Sequence, residues 1–157
     1  GDYYGAGLAN WVLSIATEKG DAIDLELLTP MTSKTEIPIP EKQYNMSVDN
    51  ATAGFVAGTS SSLGQAGTWY WDLSTMDADG YIYGYAAAIE GNVKLSKDGD
   101  KTTVSFEFVD DLYHIFSGSW TGVIPEARDE SASYSSLSSR KPSLRKGVGV
   151  THRIVRR

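Results

Sequence analysis

The chain has 157 residues, 41% of them apolar, with 16 Gly, four Trp, nine Tyr and no Cys. That suits one core of ordinary size and excludes a disulfide framework, a thiolate metal site and a cysteine nucleophile. The net charge of −6 hides a division: residues 1–125 hold 6 Lys and no Arg against 17 Asp+Glu (6 − 17 = −11), whereas residues 126–157 hold 8 Lys+Arg against 3 acids (8 − 3 = +5), so nucleic acid, which needs clustered cations, is excluded as a partner of the acidic body.

No run approaches the roughly 18 consecutive apolar residues of a spanning helix, so no transmembrane segment is expected and the chain reads as soluble. Gly1-Asp2-Tyr3-Tyr4 lacks the basic-then-apolar layout of a signal peptide, so any export signal would lie upstream of it. Period-two alternation then begins. Trp11, Leu13 and Ile15 share one face, and after Glu18-Lys19-Gly20-Asp21 the residues Ile23, Leu25 and Leu27 alternate with Asp24 and Glu26, which predicts a hairpin. Three prolines between Thr29 and Pro40 predict a loop, with Ile37 and Ile39 as candidates to touch the core.

Tyr44, Met46 and Val48 alternate next, a looser strand passes through Phe55 and Val56, and Thr59-Ser60-Ser61-Ser62 reads as a flexible loop. Trp69, Trp71 and Leu73 predict a strand whose opposite face presents Tyr70; Asp79-Gly80 leads into a second aromatic strand with Tyr81, Tyr83 and Tyr85. The clearest hairpin joins Ala87, Ile89, Val93 and Leu95 to Val104, Phe106 and Phe108 through Lys97-Asp98-Gly99-Asp100, an Asp-Gly turn suited to positive φ. A last strand spans Leu112 to Val123 and includes Tyr113, Ile115 and Trp120.

The predicted fold is therefore all-β. It is an antiparallel meander of about eight to nine strands, closed as a barrel or flattened into a sandwich. The predicted core is Trp11, Leu13, Leu25, Tyr44, Met46, Trp69, Trp71, Ile89, Val93, Phe106 and Ile115. Residues 126–157 form a basic, Ser/Arg-rich tail beyond this body. The tail reads as a disordered linker with an edge strand at 148–155, as a segment docked on the acidic body, as a binder of anionic surfaces, or as a stretch foreign to the domain.

Tyr3-Tyr4-Gly5, Asn10-Trp11-Val12-Leu13-Ser14-Ile15, Pro40-Glu41-Lys42-Gln43-Tyr44, Asn92-Val93-Lys94-Leu95, Tyr113-His114-Ile115 and Trp120-Thr121-Gly122 follow one another along residues 1–125. Their succession resembles the small calycin-like domains of exported lipoproteins and surface proteins of Bacteroidota. The resemblance implies a barrel-like or sandwich fold in the periplasm or at the cell surface; it carries no catalytic residue.

The candidate chemistry is sparse. Asp77-Ala78-Asp79-Gly80 has the middle of a calcium loop, but Thr75 and Ala86 stand where two stronger ligands belong, so an Asp-Gly turn is the simpler reading and no metal is expected. His114 and His152 lie in different parts of the chain, and neither has a local Asp-x-His or His-x-His partner. No Gly-x-Ser-x-Gly elbow appears, and Asp110-Asp111 reads as a solvated turn. What remains is aromatic. Tyr70, Trp69, Trp71 and Tyr83 are the candidate ligand-binding residues, a stacking platform for sugar rings or a cavity lining, against core packing for the two tryptophans.

These features predict a non-enzymatic cell-envelope binding module without a cofactor, taking a glycan, a small apolar ligand or an envelope protein. The alternative is a structural subunit that pairs through its sheet edges or its tail, without a small-molecule pocket.

Overall fold

The computed structural model describes residues 1–31, 41–62, 64–125 and 127–128. The expectations for Ile37, Ile39 and the tail, including the edge strand at 148–155, lie outside these residues. Eleven strands are described: β1 (Leu8–Ala16), β2 (Asp21–Pro30), β3 (Gln43–Asn45), β4 (Gly54–Phe55), β5 (Thr59–Ser61), β6 (Gly64–Ala66), β7 (Trp69–Met76), β8 (Ile82–Ala87), β9 (Glu90–Asp98), β10 (Lys101–Val109) and β11 (Ile115–Gly122). The fold is all-β with antiparallel strand pairing throughout its named strands.

The first sheet has the order β1-β2-β7-β8, with β4 also paired to β2; the second has the order β11-β10-β9-β3. The β1–β2 hairpin sets Trp11 opposite Leu27, Leu13 opposite Leu25 and Ile15 opposite Ile23, the three pairs that alternation predicts. Its turn is held by the Thr17 hydroxyl, which accepts the N–H groups of Lys19 and Asp21 at 3.2 and 3.1 Å. The β9–β10 hairpin pairs Val93 with Phe106 and Leu95 with Val104 around Gly99-Asp100. Of those two loop residues only Gly99 has positive φ, 60°, the pattern of a type II′ turn.

The chain crosses between sheets at Ala88-Ile89. Ala88 N–H donates to Thr68 O at 3.0 Å in the first sheet, and Ile89 N–H to Val109 O at 2.9 Å in the second. Just after this corner comes Gly91, at φ +115°, where a Cβ would stand 2.1 Å from the carbonyl oxygen of Glu107.

Both sheets contribute to one core. Ile23, Leu25 and Leu27 come from the first, Tyr44, Val93, Leu95, Val104, Phe106, Phe108 and Trp120 from the second, with Phe55 of β4 among them. The Phe55 and Phe108 rings meet edge to face across the layers, 4.8 Å apart, a favourable aromatic geometry.

Of the predicted core, Leu25, Tyr44, Trp69, Val93 and Phe106 are buried, and Trp11 and Leu13 pack against the core from its margin. Trp71 and Ile89 are half-buried. Met46 and Ile115 are exposed, at 38% and 71%. The β3 strand ends before Met46, and it is Ser47 that turns inward, its N–H on Phe55 O at 2.8 Å and its hydroxyl on Thr52 O at 2.7 Å. In β11 the inward positions are Phe116, Gly118 and Trp120, which leaves Ile115 on the outer parity. Gly118 lies opposite Phe106, so a missing side chain makes room for a large one. The Ser/Gly loop is also corrected: β5 and β6 form a two-stranded ribbon, with Thr59 opposite Ala66.

Candidate functional site

Residues directly opposite in an antiparallel pair project to the same face, and this fixes the orientation of the aromatic strands. Tyr70 lies opposite Ile23, whereas Trp69 lies opposite Asp24 and Trp71 opposite Ala22. Since Ile23 is fully buried in the core, Tyr70 is on the inner side and the two tryptophans are on the outer side. The phase is the reverse of the predicted one. Tyr70 places its ring 6.0 Å from Phe116 of the second sheet and donates its hydroxyl to Asp21, which removes it from the candidate binding face.

Trp69, Trp71 and Tyr83 do share that face, with Tyr85. The two indoles stack, 5.6 Å apart and 22° from parallel, and the Tyr85 ring stands 5.9 Å from Trp69 and 6.1 Å from Trp71. Tyr85 lies opposite Trp71 in the β7–β8 pair, and Tyr83 follows at the next position of the same parity.

One end of the face is covered. The indole N–H of Trp69 donates to Ala66 O of β6 at 2.8 Å, and Trp69 is only 5% exposed. Beside it the Glu26 carboxylate, 8% exposed, accepts the Tyr4 hydroxyl at 2.7 Å and the Asn10 amide at 2.8 Å on Oε1. Its Oε2 takes the Gly67 N–H at 2.8 Å. Gly67 has φ +86°, and a Cβ there would lie 2.0 Å from Ala57 O, so only glycine brings this N–H to the carboxylate. A buried carboxylate is tolerated when donors surround it; here they tie the N-terminal segment and the β5–β6 ribbon onto the first sheet.

The other end is open: Trp71 is half-buried, while Tyr85 and Tyr83 are 55% and 69% exposed. The Trp71 indole is held by its N–H, donated to Asp24 Oδ2 at 2.9 Å, and the Ser14 hydroxyl donates to Asp24 Oδ1. Tyr83 donates its hydroxyl to Asp77 Oδ2 at 2.9 Å. These bonds hold rings whose flanks face solvent.

Asp77 organises the β7–β8 turn. Its Oδ1 accepts the N–H groups of Tyr81 and Asp79 at 2.9 and 3.0 Å. The Tyr81 N–H foremost, with the Tyr83 hydroxyl and the Asp79 and Gly80 N–H groups, holds the carboxyl below the usual carboxylate range. The segment with a calcium-loop appearance is thus a carboxylate-braced turn, and among the described residues no three His, Asp or Glu side chains gather as a metal set.

A second carboxylate-braced turn, between β10 and β11, gives His114 a carboxylate partner four residues away. Asp110 Oδ1 accepts the N–H groups of Leu112 and His114 at 2.9 and 2.8 Å, and Oδ2 lies 3.1 Å from His114 Nδ1. Tyr113 takes φ 64° to close the turn. Burial pushes the Asp110 carboxyl up, but the His114 and Leu112 N–H groups and the His114 ring outweigh it and hold the carboxyl below its usual value. The His114 side chain is 73% exposed, and the arrangement is a turn brace.

Asp24 and Glu26 carry no signal of a role at the site in the sequence, where alternation presents them only as the polar side of β2. Comparisons with protein-family models, with curated proteins and with solved structures find no match to this chain.

Proposed function

We propose that this protein is a non-enzymatic binding module that holds a glycan on the outer aromatic face of its first sheet. The observation that carries this reading is the half-open cluster of Trp71, Tyr85 and Tyr83, with Trp71 and Tyr83 held by hydrogen bonds to Asp24 and Asp77. Sugar rings offer flat apolar flanks edged with hydroxyls, and aromatic faces beside hydrogen-bonding groups complement them. Side chains already held in place lose little freedom on binding. A surface ligand is favoured over an enclosed apolar one because Phe55, Phe106, Phe108 and Trp120 fill the space between the sheets. In this reading the module works at the cell envelope, in the periplasm or on the surface, as the resemblance of residues 1–125 to calycin-like exported domains implies.

The test is a glycan-array screen followed by calorimetry on the best ligand. Trp71→Ala and Tyr85→Ala are each expected to weaken binding about tenfold or more, a loss of about 1.4 kcal/mol, with Tyr70→Phe close to wild type. Binding that ignores both aromatic substitutions would sink the proposal.

A further inference from the structure

The four strands that form the aromatic face and its surroundings, β1, β2, β7 and β8, contain no Lys or Arg. They do contain Asp21, Asp24, Glu26 and Asp72. Described lysines lie elsewhere: Lys94, Lys97 and Lys101 in the second sheet, Lys19 in a turn, and Lys42 with its ammonium 4.9 Å above the Tyr44 ring. The outer face itself has Asp24 and Asp77 at its open end and Glu26 beneath its covered end. Their partners are hydroxyl, indole and amide groups, and among the described residues none is paired with a cation.

The aromatic rings have the same electrostatic preference. Indole and phenol faces attract a cation, and a carboxylate accepting at the indole N–H edge strengthens the negative character of the ring. Each oxygen of Asp24 accepts one hydrogen bond and retains a lone pair for a further donor. Uronates and sulfated sugars would meet uncompensated carboxylates, whereas an ammonium would find attraction from both the rings and the acids.

We propose that the glycan held on this face is an amino-sugar polymer with free amines, its rings against Trp71, Tyr85 and Tyr83 and its ammonium groups toward Asp24 and Asp77. This rests on the glycan reading above and adds the charge of the ligand. Binding would be strongest at low ionic strength, because the open end of the site is exposed and screened by salt.

The test compares a β-1,4-linked glucosamine oligomer with its fully N-acetylated counterpart, using the full chain and calorimetry at low salt and at about 1 M salt, where the Debye length falls to about 3 Å. The free-amine oligomer is expected to bind about tenfold tighter at low salt, an advantage of the size a cation over aromatic rings supplies. High salt should erase that preference. Asp24→Asn and Asp77→Asn should each lower affinity for the free-amine oligomer more than for the acetylated one, since each removes a charge as well as loosening the ring it holds, with melting temperatures confirming that both variants are folded. Equal binding of the two oligomers overturns the amine inference and leaves the glycan module standing. Binding of neither overturns the amine inference and leaves the glycan module to the array screen, and amine binding unaffected by Trp71→Ala would mean adhesion elsewhere on the acidic body and would also overturn the proposal.

Discussion

Trp69 and Trp71 stack on each other at 5.6 Å, yet one is 5% exposed and the other half-buried, and it is the first whose indole N–H bonds to Ala66 O of the β5–β6 ribbon. The same substitution therefore has different consequences at the two positions. Trp69→Ala removes a buried indole and its bond to Ala66, and is expected to cost about 3–5 kcal/mol of stability. Trp71→Ala should cost less than half as much while weakening glycan binding about tenfold or more. Urea denaturation of both variants checks this, and equal losses would contradict the assigned faces.

Tyr70 supplies the complementary measurement. Its ring packs inward against Phe116, so Tyr70→Ala is expected to destabilise by about 2–4 kcal/mol, as a large-to-small change beside a core does. Tyr70→Phe, which keeps the ring and loses the bond to Asp21, should cost about 1 kcal/mol. If the alanine variant were as stable as wild type, the ring would have to lie outward.

The difference between these neighbours shows what the sequence makes legible. Alternation and turn chemistry agree in β1–β2 and β9–β10, so their registers can be read directly. Trp69, Tyr70 and Trp71 are three successive aromatics, and period two says nothing about which of them faces inward. That is settled by the non-local pairing of Tyr70 with Ile23. The candidate site divides in the same way: aromatic composition singles out Trp69, Trp71 and Tyr83, but Tyr70 leaves the set once the pairing is known. Glu26 looks like an ordinary outward acid until Tyr4, Asn10 and Gly67 converge on it, the last from 41 residues away. The His114–Asp110 contact is not legible in the sequence because it depends on Tyr113 adopting φ 64°, a conformation uncommon for a residue other than glycine.

Glu26 is expected to be a stability residue. Glu26→Ala removes the acceptor that Tyr4, Asn10 and Gly67 share, and a hydrogen bond to a charged group contributes about 1.5–3 kcal/mol. A loss of about 3 kcal/mol in chemical denaturation is expected, with faster proteolysis of the N-terminal segment and the β5–β6 ribbon. A variant as stable as wild type would show that the carboxylate is not what joins these pieces.

The two carboxylate-braced turns give stability a defined pH dependence. Asp77 and Asp110 both have carboxyls held below their ordinary value of 3.8, so the folded state prefers the ionised form. Their contribution is full above the unfolded value and is lost as pH falls below 3.8 toward the folded values. Asp110→Asn should be less stable than wild type at pH 7 and should flatten the acid limb of the stability curve. Denaturation midpoints measured from neutral pH down to strong acid test this; parallel curves for the two proteins would refute it.

Gly91 is a position where one added carbon should have a large effect. At φ +115° a side chain is already strained, and its Cβ would fall 2.1 Å from the backbone oxygen of Glu107 and 2.8 Å from Cα of Phe108. Neither obstacle is the movable end of a side chain, so relief requires β9 and β10 to separate beside Phe108, which is fully buried and packs on Phe55. Gly99→Ala is the control, since Gly99 also has positive φ, 60°, but nothing stands within 4 Å of its would-be Cβ. It should cost about 1 kcal/mol, the conformational penalty of a left-handed backbone. Gly91→Ala is expected to cost more than about 3 kcal/mol, beyond the usual range for a point substitution, or to prevent folding. Comparable denaturation midpoints for the two variants would mean that β9 can move away from β10 at this corner, and that the close approach at Gly91 is not needed to join the two sheets.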